Sequence, residues 1–186
     1  MKLNIHLISH PLIQNLSSIT RNSYSSYNMR NQYFKSLGLL IIYETIRTWT
    51  KIHKLTIKTT KKEKELIIID PKESYTIVFD NLDYVNMFQD IQFILPKLNL
   101  KLIEQKNEKN YTLFNFSPNI HHRILIVNYR MDTKFIKNLI EGLIREHNIK
   151  LKQIRLTCVE CKTEQLIQLS ELYDNLTIYT TKIINT

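Results

Sequence analysis

The chain has 186 residues, of which 43% are hydrophobic and 23% are charged, and its formal net charge is +9. This composition excludes a disordered tail and predicts a single domain spanning 1–186 with its own core. Two cysteines exclude a disulfide scaffold, and the longest uncharged apolar run, Leu37 to Tyr43, is far shorter than the roughly 20 residues of a membrane span. Because the start loses its apolar character by Asn4, we expect no secretory signal and an intracellular, soluble protein.

The first 52 residues are predicted to form a helical arm. Ser9-His10-Pro11 opens a short apolar segment, and a longer helix is predicted from about Asn28 to Trp49 because apolar residues recur there at helical spacing. Gly38 lies inside this pattern, where glycine costs up to about 1 kcal/mol relative to alanine. Its presence favours close packing of another element. The residues at helical spacing are Met29, Tyr33, Phe34, Leu37, Ile41 and Ile42.

A basic stretch runs from Lys51 to Lys64. Polar and apolar residues alternate from His53 to Lys58, which predicts an edge strand rather than a helix. Lysines on an edge strand guard against aggregation, so we prefer this structural interpretation. Binding of RNA by the same lysines is the alternative.

Residues 53–186 are predicted to form an α/β core. The last third alternates strand and helix, which predicts a mostly parallel central sheet flanked by helices. We expect the strands near Val78, at Ile124 to Val127 and at Ile154 to Val159 to be buried neighbours, because their β-branched runs are typical of strands covered on both faces. The predicted strands are 66–69, 75–79, 98–103, 111–116, 123–127, 154–159 and 176–179, and the predicted helices are 83–95, one capped by Asp132, and 161–172.

The amino-acid usage can explain the positive charge without a polyanionic binding partner. Alanine is absent, only Gly38 and Gly142 are glycines, and isoleucine, lysine and asparagine are abundant. This bias is typical of an A+T-rich genome, so the charge is discounted as a sign of polyanion binding. The lack of a glycine-rich loop also excludes a Walker loop and a dinucleotide fingerprint.

The spacing Cys158-Val159-Glu160-Cys161 permits three interpretations. A structural zinc site needs four ligands, and only His121 and His122 could complete one. A redox pair normally lies at a helix start after a strand, which this position matches loosely. The preferred interpretation is two small residues at a junction between a strand and a helix.

Several short segments, in order, resemble the uracil phosphoribosyltransferase family. The resemblance covers nearly the whole chain but is diffuse. It implies a type I phosphoribosyltransferase fold, frequent dimerisation, and magnesium-dependent conversion of uracil and phosphoribosyl diphosphate to UMP and diphosphate in pyrimidine salvage. The segments are His10-Pro11-Leu12, Gly38 to Glu44, Lys106-Asn107-Glu108 on the family's mobile loop, Arg123 to Asn128, and Glu171 to Thr180.

The chain departs from the family at the phosphate-binding loop. The family has Asp-Pro-x-x-Ala-Thr-Gly-Gly where this chain has residues 128–135, and only Thr133 is retained. Asn128 replaces the acidic residue that is expected to hold the ribose hydroxyls. Lys134 and Phe135 replace two glycines, which would cost about 1–2 kcal/mol each if the loop needs positive φ there.

Two further departures concern diphosphate and uracil. Leu82-Asp83-Tyr84 stands in place of the family's Arg-Ala-Gly, so a bidentate donor is lost and a repelling charge is added. The chain ends at Thr186, where no counterpart to the family's uracil-binding segment is found.

These departures predict a catalytically degenerate homologue rather than an enzyme. Remnants of the phosphate loop are expected at Asn128, Arg130, Asp132, Thr133 and Lys134, and a remnant of the mobile loop at Lys106. An active enzyme, in which Arg130 and Lys134 bind phosphate through their side chains, is the first alternative, and a basic RNA-binding regulator is the second. We expect no cofactor (magnesium only if the protein is active), weak binding of phosphoribosyl diphosphate or another phosphate-bearing ligand, a homodimer, no membrane association, and a plastid or chloroplast location.

Overall fold

The centre of the fold is a six-stranded sheet in which every pair of neighbouring strands is parallel. A computed structural model describes residues 2–21, 27–95, 97–103 and 119–185. The spatial order of strands is β1-β8-β7-β6-β4-β5. Their bounds are β1 Asn4–Leu7, β4 Ser74–Phe79, β5 Leu98–Leu102, β6 His122–Arg130, β7 Ile154–Lys162 and β8 Thr177–Ile184, while β2 Ile52–Lys58 and β3 Glu63–Ile69 form a separate sheet.

In the described residues, four α-helices cover both faces of the central sheet. The first two, α1 Pro11–Arg21 and α2 Tyr27–Ile46, enclose one apolar cluster, and α3 Thr133–His147 and α4 Thr163–Leu172 enclose the other. Alternate residues of the inner strands enter opposite clusters, which explains why these strands are β-branched throughout. For example, Leu125 of β6 lies in the first cluster and Ile126 in the second. Three short 3-10 helices, Leu82–Phe88, Ile91–Phe93 and Leu151–Gln153, complete the described elements.

The predicted buried neighbours in the sheet are confirmed. Val78 of β4 pairs with Ile126 of β6, which in turn pairs with Leu156 of β7. All three side chains are fully buried. The strand predicted at 111–116 lies outside the described residues.

The helical description of residues 1–52 is corrected at its start. Asn4 to Leu7 form β1, which pairs with β8 and becomes an edge of the central sheet. Every residue of β1 is exposed, so the sequence lacks the buried apolar run that would have predicted this strand. The long helix is confirmed and ends at Ile46, three residues before the predicted Trp49.

The α-helix predicted from Asp83 to Leu95 is also corrected. This segment consists of the 3-10 helices Leu82–Phe88 and Ile91–Phe93. Its aromatic, β-branched and asparagine residues have low helix propensity, which works against a continuous α-helix.

The basic stretch forms a two-stranded hairpin, so the edge strand predicted there in place of a helix is confirmed. Strands β2 and β3 pair antiparallel, with Ile52 opposite Ile69 and Lys58 opposite Glu63. All of β2 and most of β3 are exposed. None of the helices in the described part of the chain is long and apolar enough to cross a membrane.

Candidate functional site

The candidate site lies where the parallel strands end. In open α/β sheets, ligands bind outside the carboxyl ends of the strands, and the phosphate-loop segment follows β6 at this edge. Asp80 follows β4, Asn128 and Arg130 end β6, and Glu160 lies near the end of β7. Because the strands are neighbours and parallel, these polar residues come together although they are far apart in the sequence.

Asn128 is buried and faces the end of the neighbouring strand. Its Nδ2 donates a hydrogen bond of 2.7 Å to Oδ2 of Asp80. Burial, and to a smaller extent the charge of Asp132, raise the pKa of the Asp80 carboxyl. The hydrogen bond from Asn128 lowers this pKa. Oδ1 of Asn128 and Oδ1 of Asp80 are buried without a hydrogen-bond partner among the described residues. The amide therefore sits in an acidic environment that disfavours an additional anion.

The expected phosphate loop is not an open loop. Strand β6 continues to Arg130 and α3 begins at Thr133, so only Met131 and Asp132 connect them. The N–H of Met131 donates to the carbonyl oxygen of Glu160 at 3.0 Å, which extends the pairing with β7. Met131 is buried in the cluster beneath α3 and α4.

The amino terminus of α3 is capped from within the chain, as the sequence predicted. Oδ1 of Asp132 accepts a hydrogen bond of 3.1 Å from the N–H of Phe135. The Phe135 ring, at a position where the resembling family has a glycine, is fully buried. Oγ1 of Thr133 is buried without a hydrogen-bond partner in the described residues, and Lys134 is exposed. One carboxylate therefore occupies a position that an anion would need at this helix end.

Arg130 is held by an ion pair that the sequence did not indicate. Glu160 is 7% exposed and lies between two arginines. Its Oε1 is 3.2 Å from Nη1 of Arg21 in α1, and its Oε2 is 3.4 Å from Nε of Arg130. The single acidic residue of β7 was the available signal, but its partner in α1 lies 139 residues away. The guanidinium of Arg130 thus already neutralises a buried carboxylate.

The position expected to hold diphosphate is part of the 3-10 helix Leu82–Phe88. Oδ1 of Asn81 accepts a hydrogen bond of 2.9 Å from the N–H of Asp83 and starts this helix. Leu82 is exposed, and the Tyr84 ring stacks on Tyr129 with their centroids 5.8 Å apart. No cationic side chain replaces the missing arginine at these three positions. Lys106 lies outside the described residues.

Known proteins with similar sequences or folds indicate which family this chain resembles. No protein-family model matches the chain. The chain is 28% identical to the uracil phosphoribosyltransferase homolog of Pyropia yezoensis, over 98% of this chain and 89% of that protein. It is 24% identical to the uracil phosphoribosyltransferase of Synechococcus elongatus, over 96% of this chain and 85% of that protein. The chain is thus similar to uracil phosphoribosyltransferases and their homologs over nearly its whole length.

Solved structures agree with this relationship at the level of the fold. The AQ2163 protein from Aquifex aeolicus superposes with a TM-score of 0.78 at 14% identity, covering 97% of this chain and 88% of that one. The orotate phosphoribosyltransferase of Mycobacterium tuberculosis, in complex with 5-phospho-α-D-ribosyl 1-diphosphate, gives a TM-score of 0.50 at 9% identity, covering 96% and 95%. The predicted type I phosphoribosyltransferase fold is thereby confirmed.

In this homologue, the two cysteines lie beside the candidate site. Cys158 and Cys161 are both free and buried, and both belong to the cluster under α3 and α4. Regular alternation along a strand would place residues three apart on opposite faces, so the alternation of β7 is interrupted between them. His122 lies at the other end of the sheet, with its ring nitrogens 2.7 Å and 3.0 Å from hydroxyls of Ser74 and Thr76. The zinc interpretation through this histidine is therefore not supported.

Cys161 lines a cavity of about 220 Å³ at the carboxyl edge, together with Arg130 and Lys162. A hydrogen bond from the Cys158 thiol lowers the pKa of Cys161 to about 7, although burial opposes this. We expect the ultraviolet absorbance of a thiolate to appear with a midpoint near pH 7. The Cys161→Ser variant should lack this transition, and Cys158→Ala should move it to higher pH. A wild-type thiolate signal that appears only near the ordinary cysteine pKa of about 8.5 would contradict the assignment.

Proposed function

We propose that this homologue is catalytically degenerate and transfers no measurable phosphoribosyl group to uracil. The observation that carries the proposal is the two-residue connection between β6 and α3. A phosphate-binding loop needs exposed backbone N–H groups and room for the ligand. Here Met131 donates its N–H to the neighbouring strand, and Asp132 takes up the N–H of Phe135. At most weak anion binding near Thr133 is expected.

The charges at the site support the same proposal. Asn128 supplies no negative charge for the ribose hydroxyls and is engaged with Asp80. Arg130 is paired with Glu160, so binding a phosphate through Arg130 would compete with a buried carboxylate. Glu160 would then keep only its second partner, Arg21, so this competition weakens phosphate binding by Arg130. Asp83 adds further negative charge beside Leu82, which stands where the resembling family carries an arginine.

The site is also poorly suited to a resident magnesium ion. No group of three or more histidine, cysteine, aspartate or glutamate side chains in the described ranges has the arrangement needed to hold a metal. The Asp80 carboxylate, which contacts Asn128, and the Asp132 carboxylate both accept hydrogen bonds within the protein. We therefore propose no step through a metal.

The test is UMP formation from labelled uracil, phosphoribosyl diphosphate and magnesium. We expect no product above background from the wild-type protein. The Synechococcus elongatus relative, assayed at the same concentration, serves as the positive control. The triple variant Asn128→Asp, Lys134→Gly and Phe135→Gly should also be inactive, because Leu82 and Asp83 remain where the arginine is needed.

Two results would overturn the proposal. One is magnesium-dependent turnover by the wild-type protein that disappears in Thr133→Ala. The other is turnover that disappears in Arg130→Gln, which would show that this side chain rebuilt a phosphate site. Either result would favour the active-enzyme alternative.

We propose a plastid setting on independent grounds. The chain has no alanine and only two glycines, a bias expected from an A+T-rich genome. Its relatives include the homologs of Pyropia yezoensis and Porphyra purpurea and a chloroplastic uracil phosphoribosyltransferase of Arabidopsis thaliana. RNA binding remains a less favoured alternative, because the lysines of the hairpin alternate with apolar side chains.

A further inference from the structure

A polar cavity of about 550 Å³ lies at the amino edge of the central sheet. Asn4 begins β1, Thr177 begins β8 and Arg155 is the second residue of β7. These three residues line the cavity together with Thr48, which follows α2. Because the strands are parallel, this edge is at the opposite end of the sheet from Asn128 and the rest of the candidate site. A cavity of this size can hold a small organic molecule.

The Arg155 guanidinium is fixed in the wall of this cavity. Its Nη1 donates hydrogen bonds to the carbonyl oxygen of Thr45 and, at 3.2 Å, to the hydroxyl oxygen of Thr48. Its Cζ lies 4.5 Å from the centroid of the Trp49 ring and 5.5 Å from that of the Tyr179 ring. These contacts hold the side chain in one geometry, so binding a ligand there requires little further ordering of the protein.

The charge of Arg155 has no counter-charge in the part of the chain that the structure describes, where all its hydrogen-bond partners are uncharged. The other two half-buried arginines there, Arg21 and Arg123, each lie beside a buried carboxylate. Their distances from nitrogen to oxygen are 3.2 Å to Glu160 and 3.6 Å to Glu73. Burial lowers the pKa of the Arg155 guanidinium, and the charge of Arg123 adds to this. An anion bound beside Arg155 would stabilise this half-buried cation.

One side of the guanidinium fork remains available to a ligand. Within the described residues, every hydrogen bond of Arg155 comes from Nη1. Nε and Nη2 together form the side of the fork that can bind a carboxylate through two parallel hydrogen bonds. A bidentate pair of this kind is stronger than a single neutral hydrogen bond, and it also fixes the orientation of the ligand.

The charged side chains that line the cavity sum to one positive unit. Oε2 of Glu44 accepts a hydrogen bond of 3.2 Å from Nε of Arg47, so these two charges offset each other. With Arg155 added and His6 neutral, the sum is +2 − 1 = +1. This charge matches a monocarboxylate. A phosphate monoester carries nearly two negative charges and would have to draw Arg47 away from Glu44.

We propose that this cavity binds a small organic monocarboxylate that carries hydroxyl groups, with its carboxylate on Nε and Nη2 of Arg155. The body of the ligand has polar partners, since Asn4, Thr48 and Thr177 line the same cavity. The Thr48 oxygen accepts a hydrogen bond from Arg155, so its own O–H can donate to a ligand hydroxyl. The site lies at the opposite end of the sheet from the candidate site and does not depend on the activity there.

The test is isothermal titration calorimetry at low ionic strength with three ligands that share one polyol chain. They are gluconate, which has a carboxylate, sorbitol, which is uncharged, and the phosphate ester of sorbitol. We expect gluconate to bind about tenfold more tightly than sorbitol, because only its carboxylate makes charge-assisted hydrogen bonds to Arg155. The Arg155→Gln variant should lose this difference and bind gluconate and sorbitol equally.

Two further variants test the balance of charge, and they remain informative if Arg155→Gln fails to fold. Glu44→Gln should strengthen gluconate binding about threefold, because it releases Arg47 toward the ligand. Arg145→Gln is the matched control, since Arg145 pairs with Glu141 at 3.5 Å on α3 and is largely exposed. The control should bind gluconate as the wild type does. Circular dichroism checks the fold of each variant.

Three results would contradict the assignment of a carboxylate to this cavity. They are no gluconate binding at millimolar concentration, equal affinities of the wild type for gluconate and sorbitol, and gluconate binding that Arg155→Gln and Glu44→Gln leave unchanged. Gluconate binding that is lost in Arg130→Gln would instead place the carboxylate at the candidate site. Binding of the phosphate ester about tenfold more tightly than gluconate, lost in Arg47→Gln, would assign the cavity to phosphate esters.

Discussion

Replacing Glu73 with alanine is expected to lower the free energy of unfolding by about 3–5 kcal/mol, the range for breaking a buried ion pair by removing one partner. The Glu73 side chain is fully buried at the amino end of β4. Its Oε2 accepts a hydrogen bond of 2.5 Å from the Tyr75 hydroxyl, and its Oε1 is 3.6 Å from Nη2 of Arg123. Without this carboxylate, the Arg123 guanidinium would lose its counter-charge beside the Trp49 ring.

Urea unfolding measures this change, and the chain supplies a matched control. Glu63 pairs with Lys58 at 2.9 Å, but both side chains are largely exposed. Glu63→Ala should therefore change the free energy of unfolding by at most about 1 kcal/mol, as for other surface ion pairs. Equal losses for Glu73→Ala and Glu63→Ala would show that the buried carboxylate does not hold this end of the sheet together.

Gly38→Ala is expected to destabilise the protein by about 2 kcal/mol or more, because there is no room for a methyl group. A Cβ at this position would lie 2.2 Å from the backbone oxygen and 2.6 Å from the Cβ of Met87. Overpacking of this kind costs about 1–3 kcal/mol and sometimes more, which exceeds the helix-propensity gain of up to about 1 kcal/mol. The close packing predicted for Gly38 is thus confirmed, with the 3-10 helix Leu82–Phe88 as the packed element.

The other glycine provides the comparison for thermal unfolding. Gly142 is half-buried in the middle of α3, and alanine there should leave the melting temperature unchanged or raise it. Gly38→Ala should lower the melting temperature by roughly 4–8 °C, at about 2–4 °C per kcal/mol for a chain of this size. A Gly38→Ala protein as stable as the wild type would show that α2 can shift away from Met87.

The two predictions test contacts at two different places in the structure. The buried ion pair at the amino end of the sheet and the close helix contact at Gly38 both maintain the fold. At the carboxyl edge of the sheet, Asn128, Asp132 and Arg130 instead make contacts within the protein. Stability and binding can therefore be tested separately in the same protein.

Much of the fold was predictable because its signals are local. The β-branched runs in β4, β6 and β7 indicate strands covered on both faces, and the periodic apolar face of α3 follows a residue, Asp132, that caps it. The 3-10 helices were harder to predict, since low helix propensity does not by itself distinguish a 3-10 helix from a loop. Lys134 and Phe135, which stand where the resembling family has glycines, are visible in the sequence, and the site predicted from them at the end of β6 stays a prediction.

The sequence by itself determined the parallel α/β architecture and the unusual composition of the phosphate-loop segment, because both depend on neighbouring residues. Only the tertiary structure decided what that segment does. Asn128 meets Asp80 across 48 residues, Glu160 pairs with Arg21 across 139, and β1 pairs with β8 at the far end of the chain. These partners are brought together by the order of strands in the sheet, and the entropy of closing such long loops is offset by the packing of the whole core rather than by any local pattern.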